Sequence, residues 1–220
     1  MKMKEEIKMM TNEITYSAEE NSTVRTAWNP TVVRESAQGL SIIDLRTQHL
    51  ADRKIFIDGA ITSETADMFV SQALYLAQKK EDIDIYVNSP GGEVLAGLVI
   101  YDTIQDLKKI LHVNMYCTGM AASMGAVIFA GGEKGRRYIL PHSKCMIHEP
   151  LIAGGMGGSA TTIRKTAESI LETKSITNGI LAKHTGKTMD EIDVATAFDN
   201  YMNAEESIEF GLCDEIRGIL

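Results

Sequence analysis

Ser123 lies in Ala121-Ala122-Ser123-Met124-Gly125, where an alternating apolar run gives way to an Ala- and Gly-rich stretch. Small neighbours let the backbone turn sharply there and leave the hydroxyl exposed. A helix that starts at such a turn offers free backbone N–H groups to developing negative charge. This is the logic of the G-x-S-x-G elbow, with Ala in place of the first Gly, and its chemistry is nucleophilic attack on a carbonyl. A serine in an Ala/Gly helix more commonly only packs or caps, so the reading needs a base. The chain offers His49, His112, His142, His148 and His184. His148 ends the apolar run Met146-Ile147-His148, and a strand end holds an imidazole rigidly at the rim of a sheet. A third group must orient that imidazole. Asp199 is a plausible partner, with Asp190, Asp193 and Asp214 as alternatives. The order Ser, His, Asp differs from the Ser, Asp, His order of α/β-hydrolases and argues against that fold.

Two glycine-rich segments could serve the same chemistry. In Ser89-Pro90-Gly91-Gly92 the glycines allow a backbone N–H to point into a site, as an oxyanion hole requires. Gly154-Gly155-Met156-Gly157-Gly158 lacks the Lys-Ser/Thr ending of a phosphate loop and does not follow a strand in the dinucleotide-binding manner. It reads as a flexible or extended connection.

The elements that must carry these residues follow from periodicity. Lys54 to Asp58 reads as a strand, and Thr62 or Ser63 caps a helix bearing Ala66, Phe69, Val70, Ala73, Leu74 and Ala77. Ile83, Ile85 and Val87 alternate with Asp82, Asp84 and Tyr86 in a second strand. A helix follows with Gly97, Ile100, Ile104, Leu107 and Leu111 on one face. Val113, Met115 and Cys117 mark a third strand. Thr118-Gly119 is expected to turn the chain into a helix from about Ala121. Short strands are expected at Tyr138 to Leu140 and Lys144 to His148, and a long helix from about Ser159 to Lys183. Thr188 with Glu191 and Asn203 with Glu206 are capping boxes of two further short helices. Gly211 ends the last of them, and Leu212 to Ile216 resembles a terminal strand. Strands alternating with helices imply an α/β domain with mostly parallel pairing. Residues 1–38 are polar and irregular and read as an N-terminal arm to a domain at 39–220.

Composition narrows the function classes. The 220 residues carry a formal net charge of −8, and lysines and arginines cluster only in pairs such as Lys79-Lys80 and Arg136-Arg137, which argues against a nucleic-acid partner. No stretch approaches the ~20 apolar residues of a membrane span. The three cysteines, Cys117, Cys145 and Cys213, form neither a zinc pattern nor a CxxC motif, and no metal or cofactor is expected. Buried free thiols and a charged N-terminus without an apolar signal core fit a cytoplasmic protein.

Taken in order, these segments resemble the ClpP family of ATP-dependent serine peptidases. The resemblance rests on Asn88-Ser89-Pro90-Gly91-Gly92, Tyr101-Asp102-Thr103, Ala121 to Ala126, Leu140-Pro141, Met146-Ile147-His148, His184-Thr185-Gly186, Ala204-Glu205 and Glu209-Phe210-Gly211-Leu212, and spans about Gly39 to Ile216. It implies a triad of Ser123, His148 and Asp199, with oxyanion donors at the N–H groups of Gly92 and Met124. It also implies substrate-strand binding along Gly154, Gly155 and Gly157. The implied fold is the ClpP/crotonase type, with repeated strand–strand–helix units and a projecting handle helix from about Ser159. The implied assembly is a homo-oligomer of two stacked heptameric rings, fed with polypeptide by a Clp-type AAA+ unfoldase. The sequence departs from the family at Asp84, where an aromatic residue often lines the unfoldase-docking pocket, and at Ala195 and Phe198, near the triad acid. These departures motivate a second reading, a catalytically poor regulatory subunit of a mixed complex. A third is an acyl-CoA hydratase or isomerase on the related crotonase fold.

Overall fold

Alternation sets the centre of the molecule. Ile83, Ile85 and Val87 are fully buried, while Asp84 is only half-buried, so one face of this strand is core and the other looks outward. A computed structural model describes residues 30–36, 39–152 and 157–219. Their elements run β1 (Thr31–Ser36), β2 (Gly39–Asp44), α1 (Leu45–Ala51), β3 (Lys54–Asp58), α2 (Ser63–Leu76), β4 (Ile83–Ser89), α3 (Val94–Leu107), β5 (Val113–Ala122) and α4 (Met124–Ala130). They continue with β6 (Arg137–Ile139), β7 (Lys144–Ile147), α5 (Ala160–Thr185), α6 (Met189–Thr196), β8 (Asn200–Met202), α7 (Ala204–Phe210) and β9 (Glu215–Ile216). The expected α/β organisation is the one adopted.

The main sheet runs β3-β4-β5-β6-β9, every neighbouring pair parallel. β5 is the longest strand because it serves two partners in succession. Met115 to Cys117 pair with β6, and Met120 to Ala122 pair with β7. β8 then adds antiparallel to β7. The buried face of the sheet and α2, α3 and α4 share one hydrophobic core, into which Phe69, Ile100, Ile104 and Phe129 project. Local chemistry fixes the helix starts. Thr62, Thr188 and Asn203 each close a capping box, and Ser159 accepts from Thr162 N–H at the head of α5. Buried side chains of α5 are confined to its second half, at Thr177, Asn178 and Leu181, so its first half projects from the core as a handle.

Two expectations need correction, and one helix forms where none is expected. Thr118-Gly119 does not turn the chain into a helix; β5 continues to Ala122, and α4 begins at Met124. The apparent turn is a bulge, since Val87 pairs with Cys117 but Ser89 pairs with Ala121. Asn88 Oδ1 accepts from Met120 N–H at 3.2 Å, and a Cβ on Gly119 would lie 2.5 Å from that oxygen, so a side chain there would have to displace Asn88. Residues 31–36 form a strand paired antiparallel with β2 rather than an irregular stretch. That helix is α1, which Asp44 caps by accepting from Thr47 N–H at 2.9 Å.

The outward face carries an in-register ladder of Phe56, Tyr86, Tyr116 and Tyr138, with ring centroids 5.0, 5.1 and 5.1 Å apart. Arg46 covers the Phe56 end and Arg217 the Tyr138 end. Burial, followed by the nearby Asp84 and Tyr116, pushes the Tyr86 phenol up to about 12. Asp84 itself accepts from Asn114 Nδ2 at 2.9 Å, so its carboxylate is hydrogen-bonded on this face.

On the helical side, His184 Nε2 meets Tyr101 Oη at 2.8 Å, joining α5 to α3. Burial, and then the charges of Lys108, Lys183 and Arg137, bring the His184 pKa from 6.5 to about 4. Because the folded pKa is depressed, the unfolded chain binds the extra proton between these values. The contribution is therefore complete above about 6.5 and is lost as pH falls to about 4. Thermal unfolding should show a falling midpoint across that window, and His184→Gln should flatten the slope; an unchanged slope in the variant would refute the assignment.

Candidate active site

The geometry around Ser123 follows from where β5 ends. Ser123 N–H donates to Met146 O at 2.8 Å, the last bond tying this segment to β7. The chain must then leave the sheet and start α4 in one step, and Ser123 does so with φ 55° and ψ −123°. A positive φ on a residue with a Cβ costs about 1–3 kcal/mol and persists only where the surroundings over-determine it. Here the surroundings are the bond to β7 on one side and, on the other, the Ser123 carbonyl accepting from Ala126 and Val127 N–H groups.

The antiparallel pairing of β7 and β8 sets the next two groups. Cys145 faces Met202, Met146 faces Tyr201 and Ile147 faces Asn200, so the following pair in the same register is His148 with Asp199. Glu149 N–H donates to Thr196 O at 2.8 Å and closes the pairing beyond them. His148 Nε2 lies 2.8 Å from Ser123 Oγ, and His148 Nδ1 lies 3.3 Å from Asp199 Oδ1. The imidazole is mostly buried, whereas the Asp199 side chain is 59% exposed. The competing carboxylates stand elsewhere. Asp193 accepts from Asn178 Nδ2 at 2.6 Å, Asp214 pairs with Arg137, and Asp190 sits in the first turn of α6.

The turn after β4 comes against the same serine. Ile61 N–H donates to Gly91 O and Glu93 N–H donates to Ile61 O, both at 2.9 Å. A trans peptide places its N–H opposite its carbonyl, so the Gly92 N–H points away from Ile61. A Cβ on Gly91 would lie 2.6 Å from Ser123 Cβ and 3.0 Å from Met124 N, which shows how closely the turn abuts the start of α4. Met124 is the first residue of that helix, where an N–H has no intrahelical acceptor. Among the described residues, neither the Gly92 nor the Met124 N–H has a hydrogen-bond acceptor. The arrangement can pass a proton from a hydroxyl to an imidazole beside two N–H groups without protein acceptors.

Gly154 and Gly155 lie outside the described residues. Gly157 is exposed and has open space where a side chain would stand. Two further residues brace the site, Ser89 and Lys174. Ser89 is fully buried behind the Pro90-Gly91-Gly92 turn. Its signal was available, because Ser89 continues the inward phase of Ile83, Ile85 and Val87, and a hydroxyl in that phase must find partners inside the protein. Lys174 of α5 reaches Glu149 at 2.8 Å, anchoring the residue after His148 to the handle helix. No periodic pattern links positions so far apart in sequence.

Among the described residues no cluster of His, Cys, Asp or Glu could hold a metal ion, and no helix is long and apolar enough to cross a membrane. Cys117, Cys145 and Cys213 are buried and free. Comparison with family models matches residues 35–219 to the Clp protease family.

Proposed function

This chain belongs to the Clp protease family, and from that premise we propose that it is a serine endopeptidase whose nucleophile is Ser123, acting inside a ring-shaped chamber. The observation that carries the reading is the 2.8 Å contact between Ser123 Oγ and His148 Nε2 on a serine held at positive φ. In this reading His148 takes the Ser123 proton as Oγ attacks a peptide carbonyl. Asp199 orients the imidazole and stabilises its cationic form. The N–H groups of Gly92 and Met124 bind the tetrahedral oxyanion. His148 then protonates the departing amine. Water, deprotonated by the same imidazole, releases the acyl group and restores Ser123.

Members of the family generally work with Clp unfoldases in oligomeric rings. We extend that to this chain as a homo-oligomer of two stacked heptamers in the cytoplasm, receiving unfolded polypeptide from a Clp-type AAA+ unfoldase. The projecting half of α5 supports ring-to-ring contact, because Ile163 and Leu171 are exposed along it. Substrate pairing along Gly154, Gly155 and Gly157 remains part of the proposal, since main-chain bonding would read no side chains.

The test is active-site labelling with a fluorophosphonate, mapped by mass spectrometry and run beside native mass measurement. A phosphonyl adduct on Ser123 in a double-ring particle is expected, with none in Ser123→Ala. An unlabelled Ser123 in an assembled particle would sink the peptidase reading. Single rings, inactive alone and active only with a paralogue, would favour the regulatory subunit. Labelling at Ser123 also separates the protein from acyl-CoA hydratase chemistry, which needs no nucleophilic serine.

A further inference from the structure

The oxyanion-side turn is held from two directions, and only one of them is backbone. Ile61 N–H fixes the Gly91 carbonyl, and with it the plane of the Gly91–Gly92 peptide. The preceding peptide is fixed by a side chain: Gly91 N–H donates to Ser89 Oγ at 3.1 Å. That hydroxyl donates in turn to Gly59 O at 2.6 Å. Between the two peptides stands Gly91 at φ +94°, a residue with no Cβ to restrict rotation. Pro90 contributes no N–H to the turn. The Ser89 hydroxyl is therefore the side-chain anchor that removes Gly91's rotational freedom on its N-terminal side.

Ser89 is also built into the neighbouring helix. It is 0% exposed, and Gly125 of α4 packs against it so closely that a Cβ there would lie 3.0 Å from Ser89 O and 3.4 Å from Ser89 Cβ. One buried residue thus touches Gly59 just after β3, the turn bearing Gly92, and the helix whose first N–H belongs to Met124.

We propose that Ser89 is a positioning residue that sets the direction of the Gly92 N–H relative to Ser123, so that removing its hydroxyl weakens binding of the tetrahedral state more than binding of substrate. The proposal rests on the reading of Ser123 as nucleophile and Gly92 N–H as oxyanion donor. Ser89 touches no substrate; it acts through the turn. Losing one oxyanion donor outright costs about 10²–10³ in kcat, so a donor left in place but poorly aimed should cost about 10- to 100-fold.

The experiment measures kcat and KM for a fluorogenic peptide, and affinity for a peptide boronate that forms a tetrahedral adduct, in the assembled full-length protein. Ser89→Ala is expected to lower kcat about 10- to 100-fold with KM within about twofold, and boronate affinity in proportion to kcat. Ser89→Cys, nearly the same shape with a weaker hydrogen-bonding group, should fall between wild type and Ser89→Ala. Ser207→Ala is the control: Ser207 is equally buried and donates to Asn203 O at 2.6 Å, but belongs to α7. It should leave kcat within about twofold of wild type, since its lost hydrogen bond affects stability alone. An unchanged kcat in Ser89→Ala, a loss carried by KM, or an equal loss in Ser207→Ala would each overturn the assignment while leaving the nucleophile reading intact. Hydrolysis that survives Ser123→Ala would overturn both.

Discussion

Ser123→Ala and His148→Ala are each expected to lower kcat for peptide hydrolysis by about 10⁶, and the double variant to lose little more. The reason lies in the geometry. Ser123 Oγ lies 2.8 Å from His148 Nε2, so under the proposed mechanism removing either group abolishes the same covalent step. What survives is binding together with whatever the Gly92 and Met124 N–H groups supply, which is worth about 10³–10⁴ over water. Asp199→Ala should cost less, about 10⁴, because it orients the base rather than reacting. The 59% exposure of Asp199 supports the smaller figure, since water can solvate the imidazolium when the carboxylate is gone. The measurement is single-turnover hydrolysis of a fluorogenic peptide under saturation, with native mass confirming the assembly of each variant. Additive losses in the Ser123/His148 double variant would refute a shared step.

Much of this site could be read from residue types, and the remainder depended on which strands meet. Ser123 stood out because small residues surround a serine where a strand runs into a helix, a local property. The helix starts were local too; Thr188 with Glu191 and Asn203 with Glu206 are spaced as capping boxes and form them. The end of β5 was misplaced because Thr118-Gly119 carries turn chemistry, yet the structure uses it for a bulge pinned by Asn88 from the neighbouring strand. No window on β5 alone contains Asn88. Residue types alone likewise leave the carboxylate beside His148 open among four aspartates, with only the family resemblance pointing to Asp199. The choice falls to Asp199 through the β7–β8 register, and two of its competitors are occupied by Asn178 and Arg137. Long-range pairing decided each of these points, and one-dimensional patterns do not encode it.

Arg137→Met is expected to destabilise the fold by about 3–5 kcal/mol at fixed protomer concentration, by the mechanism of a broken buried ion pair. Arg137 is 1% exposed and grips Asp214 twice, Nε to Oδ2 at 2.9 Å and Nη2 to Oδ1 at 2.7 Å. It also donates to Ala130 O at 3.0 Å and His184 O at 3.3 Å, tying the C-terminal ends of α4 and α5 to β6. Truncation leaves Asp214 without its main counter-charge and both carbonyls without that donor. The effect should be non-additive: Arg137→Met with Asp214→Leu should be less destabilised than Arg137→Met alone, because the orphaned charge is then absent. The acid dependence supplies an independent check. Burial acts to raise the Asp214 pKa; the hydrogen bonds and charge of Arg137, with Lys134 and the Arg137 backbone N–H, outweigh it and bring it from 3.8 to about 2. A depressed folded pKa gives stability that is complete above about 3.8 and lost as pH falls through about 2. Denaturant unfolding at successive pH values should show that loss in wild type and its absence in the double variant. Since α4 starts directly after Ser123 and ends at Ala130, whose carbonyl Arg137 holds, Arg137→Met should also slow fluorophosphonate labelling of the molecules that remain folded. Full-rate labelling in that variant would show that the far end of α4 is mechanically separate from Ser123.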